Sequence, residues 1–167
     1  MAETKTLRSA ALADQFEAAQ KRFIKLVESI SEEQWWFQGV NTPGIRLNDE
    51  DEVRRVGVIA HHVASTQPWI MGRIRAIIED KPTPMVDFKV LNAEHASKHA
   101  DATKAEVLDL LRENLRCITS EVRAIPDEML DKERQFPTGT MTVEQRIERV
   151  LIGHMASHQT SIEATIS

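Results

Sequence analysis

Apolar residues recur at intervals of three and four along four long segments of this 167-residue chain. This spacing places them on one face of an α-helix, whereas a half-buried strand alternates every two residues. The chain is 41% hydrophobic and 28% charged, a composition typical of proteins with a packed core. We therefore expect an all-α fold, and the length fits a single domain spanning residues 1–167.

Capping signals and prolines set the expected bounds of these helices. A Ser or Thr followed three residues later by Glu or Gln marks several starts, and prolines mark several ends. Pro68 lies inside the second helix and should kink it. The four helices are expected to run from Leu7 to Ile30, from Asn48 or Asp49 to about Lys81, from Thr103 to Ile125, and from Thr142 onward.

The connection between the second and third helices is unusually long. Residues 82–102 show little periodicity, although Asn92 to Ala100 could form a short helix. A connection of this length suits a crossover, so the second and third helices should run parallel. After the third helix we expect a turn and then a loop containing Pro137 and Gly139.

Charge and cysteine content restrict the partners and the compartment. The net charge is −5 without a basic stripe, so nucleic acid is not an expected partner. No apolar run reaches membrane-spanning length, and residues 1–13 contain no signal-peptide core. Cys117 is the only cysteine, which rules out an internal disulfide. We expect a cytoplasmic protein that does not bind membranes.

Histidines interrupt the apolar face of two helices. His154 and His158 are one turn apart within the apolar face of the fourth helix. On the second helix, successive residues are about 100° apart, which places His62 at the edge of the apolar face and His61 at the surface. A buried imidazole needs a partner for each ring nitrogen. Hydrogen bonding within the core and metal binding are both open interpretations.

Three neutral imidazoles without a thiolate are ligands suited to Zn²⁺ or Ni²⁺. Three protein ligands would leave a coordination position for water or substrate, whereas structural zinc sites usually have four. His95 and His99 lie in a weakly patterned segment, and we expect them on a solvated face. Their alternative position is the mouth of a binding site.

Three further residues are candidates for substrate binding. Trp36 and Trp69 could line a pocket beside the metal, although packing at the end of a bundle is the more common role of such residues. Arg73 lies one turn after Trp69 and could bind a substrate carboxylate, or it could be an ordinary surface residue. Cys117 lies off the apolar face and is expected to be an unreactive thiol.

Several motifs resemble the DinB/YfiT-like superfamily of metal-dependent proteins. They are the segment from Val58 to Ala64 around the two adjacent histidines, the pair His154-x-x-x-His158, and the helix entry from Met141 to Gln145. The resemblance spans about residues 8–166. It differs after the last histidine, where family members often have x-Gly-Gln and this chain has Gln159-Thr160-Ser161.

The resemblance implies a four-helix bundle with up-down-down-up topology. It also implies a divalent metal ion held by His62, His154 and His158, and a homodimer. Some family members are transferases or isomerases that use low-molecular-weight thiols such as bacillithiol or mycothiol, and many have no assigned activity.

Two functional hypotheses follow. In the first, the metal activates a thiol cosubstrate or water for S-transferase-like or hydrolase-like chemistry on a small molecule. In the second, the protein is a non-catalytic stress-response or binding bundle with a structural or vestigial metal site. A cavity that opens onto the metal would favour the enzyme, because a structural site would be filled by side chains.

Overall fold

The computed structural model describes residues 7–42 and 54–167, and these residues are mainly helical. The α-helices are α1 (Arg8–Ser29), α2 (Val56–Ile78), α3 (Phe88–Lys98), α4 (Lys104–Arg123), α5 (Val143–Arg146) and α6 (Gly153–Ile166). A π-helical turn, Ile147–Ile152, joins α5 to α6, and short 3-10 helices cover Gln34–Trp36 and Asp127–Asp131. A hairpin of two four-residue strands, β1 (Glu133–Phe136) and β2 (Gly139–Thr142), is the sheet in this part of the chain. The all-α prediction is confirmed.

Contacts at the ends of α1 show how the long helices are oriented. Lys104, at the start of α4, donates to the carbonyl of Ile30 just beyond α1 at 2.6 Å. At the opposite end, Arg123 in the last turn of α4 pairs with Asp14 of α1 at 2.7 Å. These two contacts show that α1 and α4 are antiparallel.

The other two long helices complete the topology. Arg8 begins α1 and pairs with Glu144 of α5, whereas Gln34, just after α1, donates to Ile166 at the end of α6, so α1 and the last helix are parallel. A hydrogen bond joins the middle of α2 to the middle of α4, and an ion pair joins their C-terminal ends. These two helices are therefore also parallel. The predicted up-down-down-up bundle with a crossover is therefore confirmed.

Two helices differ from their predicted bounds. Among the described residues α2 begins at Val56, because Arg55 is extended and forms a bridge with Gln38. The predicted start at Asn48 or Asp49 lies outside the described residues. The short crossover helix is α3, Phe88–Lys98 rather than 92–100, because the Asp87 carboxylate caps it by accepting from two backbone amides.

The segment expected to be a loop after the third helix is the β1–β2 hairpin. Gly139, the first residue of β2 after the turn, has φ 120°, a conformation that glycine adopts without the steric cost of a side chain. Within residues 7–42 and 54–167, no helix has the combination of length and apolarity needed to cross a bilayer.

Pro68 interrupts the backbone hydrogen bonding of α2, and an asparagine from α4 compensates. A proline has no N–H for the carbonyl four residues earlier, which is that of Ala64. Asn114 Nδ2 donates to this carbonyl at 2.7 Å and to Gln67 Oε1 at 2.9 Å. Gln67 and Gln20 exchange two amide hydrogen bonds at 3.0 and 2.7 Å. A buried amide network therefore connects α1, α2 and α4 at the level of Pro68.

We expect Asn114→Ala to lower the free energy of unfolding by about 1–3 kcal/mol, because it leaves the Ala64 carbonyl buried without a donor. In a Pro68→Ala background the restored N–H at position 68 can donate to that carbonyl. The same Asn114 substitution should then lower the free energy of unfolding by less. Urea unfolding of the four proteins in a double-mutant cycle measures this coupling. Glu113→Ala, at an exposed position on the same helix, is the control, and additive effects of the two substitutions would contradict the explanation.

Candidate metal centre

Three histidines from α2 and α6 converge on one point, and we call them the first cluster: His62, His154 and His158. His154 Nε2 lies 3.2 Å from His62 Nε2 and 3.1 Å from His158 Nε2. Three nitrogen ligands held about 2.1 Å from a tetrahedral Zn²⁺ ion would be roughly 3.4 Å apart. The spacing in the first cluster is therefore close to that of a metal site.

Hydrogen bonds alone do not satisfy these nitrogens. A neutral imidazole nitrogen carries either one hydrogen or one lone pair. His154 Nε2 has two nitrogen neighbours, so it can donate to one or accept from one, and the other contact lacks a hydrogen bond. A cation accepts a lone pair from all three nitrogens at once. The donor set of the first cluster thus fits a divalent metal ion.

The electrostatic environment keeps these imidazoles neutral. Burial lowers the pKa of His158 to about 3, with smaller contributions from the neighbouring His154 and from the positive charge of Arg54. Burial and Arg54 lower the pKa of His154 to about 4. Burial, reinforced by the other two imidazoles, shifts the pKa of His62 far below its usual value. All three are therefore in the neutral form that binds metal at pH 7.

The backbone directly before the first cluster is irregular. The π-helical turn Ile147–Ile152 ends two residues before His154 and so sets the direction of both α6 histidines. Such turns occur frequently at functional sites. His158 Nδ1 is buried and has no hydrogen-bond partner in the described parts of the chain, although metal-bound histidines usually donate this hydrogen to a carboxylate or carbonyl.

A cavity of about 400 Å³ lies beside the first cluster, with His62 and His154 in its wall. Its volume is within the range of small-molecule sites, which are typically apolar with a few polar groups. Five more polar residues also line it: Ser65, Thr66, Asn92, His95 and Arg146. The apolar part of the wall consists of Trp69, Ile70, Phe88, Leu91 and Val150.

Arg146 is a candidate residue that sequence reasoning missed. It is 7% exposed, and its guanidinium lies over the ring of Phe136 at 4.2 Å. Its Nε atom is buried without a hydrogen-bond partner, and no carboxylate of the described residues pairs with it. Burial, and then the positive charge of Arg73, lowers its pKa. Buried charges are normally paired, so among the described residues Arg146 is an exception that places a positive charge at the cavity without a carboxylate partner.

The three predicted substrate-binding residues lie in different places. Trp69 lines the cavity and is 38% exposed. Arg73 stands at its edge, with Cζ 4.9 Å from the centre of the Trp69 ring and Nη1 donating to the Pro84 carbonyl at 3.0 Å. Trp36 is not part of this wall, because its exposed ring lies against Arg55 instead.

The remaining histidines contradict two predictions. His61 is 8% exposed and so is not a surface residue. His95 and His99 are partly buried rather than on a solvated face, because α3 packs against α2. We call these three the second cluster: one nitrogen of each lies within 4.8 Å of the others. The helical angle placed His61 away from the core correctly, but it could not show that α3 covers that side.

Comparison with known proteins agrees with this arrangement. The sequence model of the DinB superfamily matches residues 15–162, which include α2 through the π-helical turn and most of α6. No curated protein and no solved structure matches the chain. Since the match covers most of its length and all six histidines, the chain belongs to the DinB superfamily.

Proposed function

We propose that this protein is a divalent-metal-dependent enzyme acting on a small molecule, with His62, His154 and His158 as ligands of Zn²⁺ or Ni²⁺. The observation that carries the proposal is the convergence of three imidazole nitrogens beside a cavity of about 400 Å³, two of them from histidines of its wall. A structural metal site usually has four protein ligands and no adjoining space. The open cavity therefore favours an enzyme over a non-catalytic bundle with a structural or vestigial site.

When bound, a divalent ion at such a site lowers the pKa of a water molecule or thiol that coordinates it, which supplies a nucleophile at neutral pH. The protein's own residues bind and orient the second reactant. Trp69 and Phe88 meet edge to face, with ring centroids 5.9 Å apart, and form an apolar wall. Both rings are partly exposed, and this wall can hold an apolar substrate against the nucleophile.

The charges around the cavity support an anionic substrate. Arg146 is buried in the wall without a carboxylate partner in the described chain, and Arg73 adds a second positive charge nearby. A carboxylate bound by Arg146 would replace the missing partner and make a charge-assisted hydrogen bond. We therefore propose an electrophile with an apolar body and an anionic group. The attacking species is a low-molecular-weight thiol in S-transferase-like chemistry, or water in hydrolase-like chemistry.

The test begins with metal content. Protein freed of metal and reconstituted with Zn²⁺ or Ni²⁺ should lose one bound ion per chain when His154 or His158 is replaced by alanine. Thr160→Ala, on an exposed position of the same helix, should keep the metal content of the unsubstituted protein. Elemental analysis after gel filtration measures the ratio. Retention of the full metal content by His154→Ala would overturn the assignment of the site.

Turnover is measured on the same preparations. We expect the metal-loaded protein to convert an activated ester, or an activated aryl halide in the presence of a thiol, and to prefer the carboxylated form of the substrate over its neutral analogue. His154→Ala should reduce this activity to background, whereas Thr160→Ala should preserve it. Metal binding without metal-dependent turnover of either reactant class would favour the non-catalytic bundle.

A further inference from the structure

The six histidines of the chain all lie in two adjacent groups of three. We propose that the second cluster, His61, His95 and His99, is a second divalent-metal site next to the first cluster. It joins adjacent turns of α2 and α3, and His61 Nδ1 lies 2.8 Å from His95 Nε2. The His99 ring stacks on that of His61, with centroids 4.0 Å apart. This site does not depend on the proposed enzymatic activity.

The composition of the second cluster matches that of the first. Each contains two histidines four residues apart, within α6 in the first cluster and at the end of α3 and just beyond it in the second, and a third from α2, where His61 and His62 are consecutive. In each cluster one histidine from α2 is at least nine-tenths buried. Three imidazoles with nitrogens within 4.8 Å provide three lone pairs for one late divalent ion, the ligand type that Zn²⁺ and Ni²⁺ prefer.

Negative charge lies beside two of the three histidines of the second cluster. His61 and His99 line an open recess of about 480 Å³ together with the carboxylates of Glu106, Asp109 and Glu113. Glu106 interacts electrostatically with both of these histidines. A divalent ion in the recess would therefore face carboxylates rather than the arginines that surround the first cluster. The recess also gives the ion a route from solvent.

His95 lies between the two clusters. Its ring centroid is 5.0 Å from that of His61 and 5.5 Å from that of His62, and it also lines the cavity beside the first cluster. His95 Nδ1 is buried without a hydrogen-bond partner in the described residues. An ion at the second cluster would fix the His95 ring, and so would influence the wall of the neighbouring cavity.

A metal titration of the whole protein tests the proposal. Metal-free protein is dialysed against increasing Zn²⁺, and in a parallel series against Ni²⁺, and bound metal is measured per chain. We expect two ions per chain for the unsubstituted protein, one for His99→Gln, one for His158→Gln and none for the double variant. Lys98→Gln, an exposed neighbour of His99 on the same segment, should bind two.

The outcomes separate the second site from the first. One ion for the unsubstituted protein, lost only in His158→Gln, would show that the second cluster is merely a group of hydrogen-bonded imidazoles. His61→Gln distinguishes a three-ligand site from a surface pair. This substitution should weaken the binding of the second metal ion at least tenfold. Unchanged binding would mean that only His95 and His99 hold the ion, which would overturn the proposal. Circular dichroism of each variant confirms that it is folded, since His99 is partly exposed at the end of α3.

Discussion

A Gly57→Ala protein is expected to be less stable by about 3 kcal/mol, a large fraction of the total stability of a small domain. A Cβ atom at position 57 would lie 2.5 Å from Trp35 Cε2 and still closer to its Nε1. The indole cannot easily move, because Trp35 is 2% exposed and its Nε1 donates to the Ala102 carbonyl at 2.9 Å. The substitution must therefore displace either the indole or the first turn of α2.

Gly72→Ala on the same helix is the matched control. A Cβ atom there meets nothing within 4 Å, so the higher helix propensity of alanine should stabilise the protein by about 1 kcal/mol. Urea unfolding at pH 7.5 compares the two variants. Equal midpoints would show that Trp35 can shift at little cost. Because Gly57 is only four and five residues before His61 and His62, Gly57→Ala should also weaken metal binding, whereas Gly72→Ala should not.

The helices were predictable because burial of one face imposes its period on the sequence. The apolar positions of α2 and α4 that repeat at three and four are nearly all buried in the structure. Crossover topology followed from the length of residues 82–102. By contrast, α3 has no fully buried residue, so its sequence shows no apolar stripe from which its bounds could be predicted.

Candidate site residues were predictable where polar side chains interrupt an apolar stripe. His154 and His158 were recognised in this way. The same signal applies to Arg146, which is three residues after Val143 and four before Val150, and its charge on a buried face could have identified it. Gln67 lies four residues after Val63 and three before Ile70, so this polar residue of the amide network also interrupts an apolar stripe.

The second cluster was not predictable from periodicity. His61 points away from the core of the bundle, and the residue that covers it comes from a helix more than 30 positions later in the chain. Nothing local to α2 distinguishes a histidine covered by α3 from one exposed to solvent. Tertiary packing therefore determines the burial of His61, and the helical pattern determines only its direction.

The metal-free protein is expected to lose stability steeply as the pH falls below about 6.5. Burial holds the pKa of His154 and His95 at about 4 and that of His158 at about 3 in the folded protein. The ordinary value of about 6.5 applies when the chain is unfolded. Below pH 6.5 the unfolded chain therefore binds more protons than the folded one, and the free energy of unfolding decreases with falling pH. The loss continues until the pH reaches the folded pKa values.

The size of this loss of stability follows from the lowered pKa values of the buried histidines. Each histidine that stays neutral in the folded protein lowers the free energy of unfolding by about 1.4 kcal/mol per pH unit, or about 2 kcal/mol between pH 6.5 and 5. Two such groups would remove about 4 kcal/mol from a typical total of roughly 5–15 kcal/mol. Carboxylates with lowered pKa values, such as Asp127 and Asp131, contribute only at lower pH, as the pH falls from their ordinary value of about 4.

Urea unfolding of chelator-treated protein at pH 7.5, 6.5 and 5.5 measures this dependence. His158→Leu should reduce the slope below pH 6.5 by about 1.4 kcal/mol per unit, because one imidazole no longer takes up a proton on unfolding. A free energy of unfolding that is constant between pH 7.5 and 5.5 would contradict the burial of neutral imidazoles. Saturating Zn²⁺ should raise stability at pH 7.5 in proportion to the logarithm of its concentration, and this gain should shrink in acid as protons compete for the ligands. The burial that prepares these histidines for a metal ion is thus also the cause of acid sensitivity in its absence.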